Sequence, residues 1–134
     1  MNANDLTQLF VIQEQLDDKI ARRHPVQDGE DRLKSVNVAL LVELGESMNE
    51  YRKFKFWSTD REPRTKATCR TCDGFGEVLS KEGQIKDCFD CDENNQCDYL
   101  LEELVDCLHF ILSIGIRLGV KGQIFLNPFI YEQD

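Results

Sequence analysis

The sequence predicts an all-α chain, an antiparallel helical bundle carrying a small inserted module. Apolar residues recur at helical spacing in three separate segments, and each segment is bounded by capping or turn-forming residues. Between residues 58 and 98 that periodicity fails, and Gly, Asp, Asn, Thr and Cys take over. A length of 134 residues fits one domain, 1–134, large enough to bury a core, with residues 58–98 as an insertion within it.

The first helix is expected from about Asn4 to Arg23. Leu6, Leu9, Phe10, Leu16 and Ile20 form its stripe, Asn4 or Asp5 offers an N-cap, and Pro25 lies beyond its end. Gln13 stands on that stripe where an apolar residue is expected; taken alone it reads as a core-edge glutamine bonded to a backbone group.

The second helix is expected from about Asp31 to Phe54, with Val36, Leu40, Leu44, Ser47, Tyr51 and Phe54 on its stripe. Glu43 sits beside the stripe, and Glu46 and Glu50 follow at steps of three and four, so the three carboxylates share one side. The third helix, from about Asp98 to Leu118, is apolar at nearly every position from Leu104 to Ile116 and is expected to be buried on most sides. Gly119 and Gly122 punctuate its end, and the apolar segment after them, with Pro128, receives no assignment.

Composition narrows the function. Hydrophobic residues at 41% and charged residues at 31% describe a globular chain. A net charge of -9 excludes a protein whose main task is to grip nucleic-acid phosphates, which needs clustered Lys and Arg. An acidic protein still binds polyphosphate when divalent metals carry the positive charge. The N-terminal residues lack a basic segment followed by an apolar run, and the longest apolar stretch is interrupted by Asp106 and His109, so a cytoplasmic chain with no membrane partner is expected. In that compartment six cysteines favour metal ligation over disulfides.

Two acidic pairs carry the chemistry. Glu43 and Glu46 lie three apart on the second helix, and Glu103 and Asp106 three apart on the third, so four carboxylates can converge between two packed helices. Acidic residues three apart often do no more than decorate a solvated face. Here Asp106 is flanked by Leu104, Val105, Leu108, Phe110 and Ile111, and a buried carboxylate without a cationic partner costs several kcal/mol. Mg²⁺ is the usual partner of an all-oxygen cluster.

Cys69-x-x-Cys72 and Cys88-x-x-Cys91 are separated by residues 73–87, a spacing typical of a four-thiolate zinc site. Such a closed site leaves no open coordination position, so its expected role is structural. The first half, CRTCDGFGEV, is similar to a zinc knuckle of the DnaJ type; the second, CFDCDENN, lacks the glycines. Cys97 is a possible substitute ligand, and Cys107 is expected to be a small core residue.

The acidic pattern, ExxE followed by ExxD on a later apolar helix, resembles the all-α nucleotide pyrophosphatases, the superfamily of MazG-like enzymes and dimeric dUTPases. VIQEQLDDKI, ELGESMNEYRKFKFW and EELVDCLHFILSIG resemble the dimeric dUTPase branch in particular. The resemblance implies Mg²⁺-dependent hydrolysis of dUTP to dUMP and pyrophosphate by a homodimer. It implies Glu43, Glu46, Glu103 and Asp106 as magnesium ligands, with Glu43 or Glu46 also orienting the attacking water. It further implies Gln13 at the uracil edge, Asn49 near sugar and phosphates, and Lys55, Trp57, His109 and Phe110 lining the nucleotide site. The 56 residues from 47 to 102 separate the acidic motifs by more than is usual in the superfamily, and a zinc-clipped insertion accounts for the excess. Rival expectations are a MazG-like enzyme for another nucleotide such as dCTP, and an inactive zinc-stabilised binding or adaptor protein.

Overall fold

The computed structural model of the chain describes residues 6–120. The candidate caps Asn4 and Asp5, and everything after Val120, lie outside the described residues. Three helices dominate, α1 (Thr7–Arg23), α2 (Arg32–Tyr51) and α3 (Tyr99–Arg117), and the only strands among the described residues are four of two or three residues each. The fold is all-α, as the periodicity implies.

Each boundary has a local cause. α1 ends with Arg22 and Arg23 in its last turn, where cations complement the helix dipole, and the His24 N–H closes on the Ile20 carbonyl before Pro25. α2 begins after Asp31, whose Oδ1 accepts the Lys34 N–H at 3.1 Å, an N-cap bond that holds this carboxyl below the usual carboxylate range. The stripe of α2 runs on to Phe54, but the helix stops at Tyr51 because Arg52 adopts a φ of 61°. α3 is capped by Asp98, whose Oδ1 accepts the Leu101 N–H at 2.9 Å. It closes through Gly119 at φ 79°, with Gly119 N–H on the Ile116 carbonyl and Val120 N–H on the Gly115 carbonyl.

The chain divides into two compact units whose boundaries fall inside α2 and α3: residues 42–107 form one, and the described residues on either side of them the other. In the latter, Leu112, Gln13 and Ser113 are buried, and Phe10 lies so close to Gly115 that an added Cβ would meet its ring at 3.0 Å. In the 42–107 unit the buried residues are Ser47, Cys69, Cys72 and Cys107.

Residues 58–98 are more ordered than a loop. β1 (Ala67–Thr68) pairs antiparallel with β4 (Gln96–Cys97), and β2 (Glu77–Leu79) with β3 (Ile85–Asp87), in two separate two-stranded sheets. Strands this short carry no period-2 pattern, which is why the sequence reads as irregular here.

One expectation is overturned. α3 is not buried on most sides: Leu101, Leu104, Val105, Leu108 and Ile111 are 37–56% exposed, and Asp106 is exposed as well. Its apolar content reflects surface that this chain's own described residues do not cover. Among the described residues no helix is long and apolar enough to cross a membrane.

Candidate active site

The 42–107 unit holds both clusters that the sequence singles out. One heptad of α2 and one of α3 bring Glu43, Glu103 and Asp106 together, and carboxylate oxygens of these three lie within 4.8 Å of one another. Burial pushes the Glu103 carboxyl up to about 7, and the charges of Glu46, Glu43, Asp106 and Glu102 add to the effect. Glu43 is raised for the same reasons: burial first, then Glu46 and Asp106, with a hydrogen bond to Glu103 working against them. Glu46 is therefore close enough to act on both residues, although it is exposed and stands outside the tight trio. Three hard oxygen donors that repel one another in one place fit a divalent cation such as Mg²⁺, which relieves the repulsion. Beneath the cluster, Cys107 is buried against the fully buried Ser47, whose hydroxyl donates to the Leu44 carbonyl at 2.9 Å.

The second cluster is the cysteine set. Cys69, Cys72, Cys88 and Cys91 place their sulfurs within 4.8 Å of one another, with Cys69 Sγ and Cys88 Sγ 3.8 Å apart and Cys72 Sγ and Cys91 Sγ also 3.8 Å apart. Sulfurs about 2.3 Å from a tetrahedral zinc ion lie roughly 3.8 Å from each other, so these two spacings are those of such a site. All six cysteines are free of disulfides.

The two halves of this cluster are built differently. In the first, Asp73, Gly74 and Gly76 all take positive φ, and the Gly76 N–H is turned onto Cys72 Sγ at 3.2 Å. In the second, Asp92 Oδ1 accepts the Asn94 and Gln96 N–H groups at 2.9 and 2.8 Å, doing with a side chain what glycines do in the first. The halves interlock at Gly76, where a Cβ would stand 2.5 Å from Asn95 Oδ1. Burial opposes ionisation of Cys69, yet the backbone N–H groups of Cys72 and Thr71 bring it down to about 6. Burial and the neighbouring thiols Cys88 and Cys72 push Cys91 up to about 12. One thiolate thus discourages the next, and a bound dication lets all four ionise. Cys97 also neighbours Cys69, but its Sγ donates to the Asp90 carbonyl at 3.3 Å, and the tight set is complete without it.

The remaining residues of interest are distributed between the units. In the 42–107 unit, Lys55 Nζ donates to Asn49 Oδ1 at 3.1 Å and lies 5.8 Å from the Phe54 ring centroid. Trp57 packs edge-on against Phe54 and Phe56 and remains 66% exposed. In the other unit Gln13, 4% exposed, contacts side chains and not the backbone: its Nε2 donates to Asp17 Oδ1 at 2.8 Å, and its Oε1 lies 2.6 Å from His109 Nδ1. Phe110, next in the chain, is half-buried.

Sequence reasoning missed the partners that hold these groups. Asp17 takes the Gln13 amide on one oxygen and the Ser113 hydroxyl, at 2.6 Å, on the other. The spacing of Gln13 and Asp17, four residues on one face, was the available signal. Arg70 was also missed; its Nη2 donates to both oxygens of Glu50, at 2.8 and 3.0 Å, and nothing in the sequence links positions 20 apart.

Compared with known proteins, the chain matches the family model of dUTPase over residues 5–98. The match contains Glu43, Glu46 and the whole cysteine module and stops just before α3, so Glu103 and Asp106 rest on their sequence spacing and on the geometry, not on the family match. No curated protein and no solved structure matches the chain.

Proposed function

The chain belongs to the dUTPase family, a family of nucleotide pyrophosphohydrolases and so of enzymes, and we propose that it hydrolyses dUTP to dUMP and pyrophosphate with Mg²⁺. The observation that carries the reading is the convergence of Glu43, Glu103 and Asp106 from two helices, within 4.8 Å, on a chain whose family hydrolyses nucleotides. Glu43, Glu103 and Asp106 would hold the metal with Glu46 beside them. When bound, Mg²⁺ neutralises phosphate charge that a protein of net charge -9 would otherwise repel.

This chain's own groups do the rest. A helix-two glutamate, Glu43 or Glu46, accepts the hydrogen of the attacking water and directs its oxygen to the α-phosphorus, and the α–β bridging oxygen departs with pyrophosphate. Gln13 serves base selection: with one amide N–H on Asp17, it retains a second donor and a free lone pair on Oε1 for the uracil edge. Asn49, Lys55, Trp57, His109 and Phe110 complete the nucleotide site, Lys55 by charge and Trp57 by its exposed ring. The Cys₄ set holds structural zinc and stabilises residues 58–98 as an insertion of the single domain.

The enzyme is also a homodimer on this reading. The only apolar side chains buried among the described residues are Cys69, Cys72, Cys107 and Leu112, whereas Val38, Leu41, Val42, Leu104 and Ile111 are 47–69% exposed. Helical faces of that kind are stable in water when a second copy covers them.

The test is pyrophosphate release from dUTP, dCTP, dTTP and the ribonucleotides, with and without Mg²⁺, on zinc-loaded protein. Mg²⁺-dependent turnover with dUTP preferred is the expected result. Preference for dCTP would reassign the base, and no turnover of any nucleotide would sink the reading. Light scattering at micromolar concentration checks the dimer, which a monomeric mass would refute.

A further inference from the structure

The carboxylate cluster needs a cation on the phosphate side as well as a metal, because a triphosphate presents more negative charge than a divalent ion already held by carboxylates can neutralise. Two grooves of the 42–107 unit indicate where it comes from. The larger, about 620 Å³, is lined by Asp106 and Glu102 of α3 and by Arg70, Thr71 and Asp90 of the cysteine module. That volume is in the range of small-ligand sites. Among its lining residues Arg70 is the one cation, facing four acids. The smaller groove, about 500 Å³, is lined by Arg64, Lys66 and again Arg70, with Glu62 its single acid. Arg70 therefore stands where an acidic groove that includes Asp106 of the carboxylate cluster meets a basic one. Lys55, by contrast, lines neither groove and is bonded to Asn49.

Arg70 is built for recognition. It sits between Cys69 and Cys72 of the clustered cysteine set, and its own N–H donates to the Tyr99 hydroxyl at 2.5 Å. The guanidinium stacks on the Tyr99 ring, 3.9 Å from the centroid, and Glu50 takes both of its bonds from the single nitrogen Nη2. Among the described residues Nε and Nη1 donate to nothing else, and the side chain stays 58% exposed. A planar cation held on two sides and open on the third suits a bidentate phosphate contact.

We propose that Arg70 binds the terminal phosphates of the nucleotide, with the Arg64–Lys66 groove as the path of the pyrophosphate, so that the zinc module serves the active site directly. The inference rests on the nucleotide pyrophosphatase reading above, but its test separates the two. Calorimetry with inorganic pyrophosphate and with dUMP, in Mg²⁺, is run on the zinc-loaded wild type and on Arg70→Gln, Arg70→Lys and Lys66→Gln, with Lys81→Gln as control.

Loss of a charge-assisted contact is expected to weaken pyrophosphate binding about 10- to 100-fold in Arg70→Gln and to raise its KM for dUTP comparably. Affinity for dUMP and zinc content stay as in wild type, Arg70→Lys recovers part of the loss, and Lys66→Gln loses severalfold. Unchanged pyrophosphate affinity in Arg70→Gln, while the wild type hydrolyses dUTP, overturns this inference and leaves the enzymatic reading intact. Arg70-dependent pyrophosphate binding without nucleotide turnover overturns the enzymatic reading and keeps the subsite; absence of both overturns both. Should Arg70→Gln lose its zinc, Lys66→Gln decides, and wild-type pyrophosphate affinity there refutes the proposal.

Discussion

Glu103→Gln is the substitution whose effect depends most sharply on conditions. In the unfolded chain this carboxyl ionises near 4.5, whereas in the native cluster it does so at about 7. Between those values the native state holds the additional proton, so stability is highest below about pH 4.5 with respect to this group, falls as pH rises through the window, and stays low above 7. A displacement of that size would be worth about 3 kcal/mol in a dry site. Solvent reaches the half-buried cluster and screens it, which leaves about 1 to 2 kcal/mol.

Glu103→Gln removes that charge while keeping the shape. In Mg²⁺-free buffer at pH 8 it is expected to melt about 3 to 8 °C above wild type, and at pH 4.5 to match it. Millimolar Mg²⁺ at pH 8 should raise the wild-type Tm and leave the variant nearly unmoved, since one ligand is gone. The assay is circular dichroism melting of zinc-loaded protein in metal-scrubbed buffer without chelator, so that the cysteine set is not stripped. A variant less stable than wild type at pH 8 without Mg²⁺, or an equal response of both to Mg²⁺, would refute the reasoning.

Glu46→Gln is expected to lower kcat for dUTP by about 10²- to 10⁴-fold without loss of the fold, as loss of a group that handles the water implies; wild-type turnover would remove Glu46 from the site. Cys69→Ser takes one of four thiolates from a set already spaced for zinc. Metal analysis should show less than stoichiometric zinc and limited proteolysis should cut within residues 58–98, whereas full zinc occupancy would contradict the ligand assignment. Gln13→Leu leaves His109 and Asp17 without their amide partner, at a cost of about 1 to 3 kcal/mol, and is expected to narrow the preference for dUTP over dCTP. An unaltered ratio of kcat/KM values would place base selection elsewhere.

The sequence by itself determined the three helices and the zinc-spaced cysteines. Helical periodicity and C-x-x-C spacing are local codes, complete within a few turns of chain, so α1 and α3 begin and end within a few residues of where the pattern and its Asp and Gly signals place them. The acidic pairs were legible for the same reason, because residues three apart share a helix face whatever the fold. Where a backbone torsion intervened, as at Arg52, the apolar stripe of α2 overran the helix.

Only the tertiary structure decided which of those carboxylates meet, that Gln13 is held by Asp17 and His109, and that Arg70 lies against Glu50 and Tyr99. It also decided that the apolar face of α3 remains uncovered within the described chain. Apart from the Gln13–Asp17 pair, four residues apart on one helix face, those facts depend on contacts between residues 20 to 96 apart in sequence, and no periodicity encodes which distant side chain a given one will touch. An apolar stripe records that a surface must leave water; whether the chain itself or a second copy covers it is settled by packing.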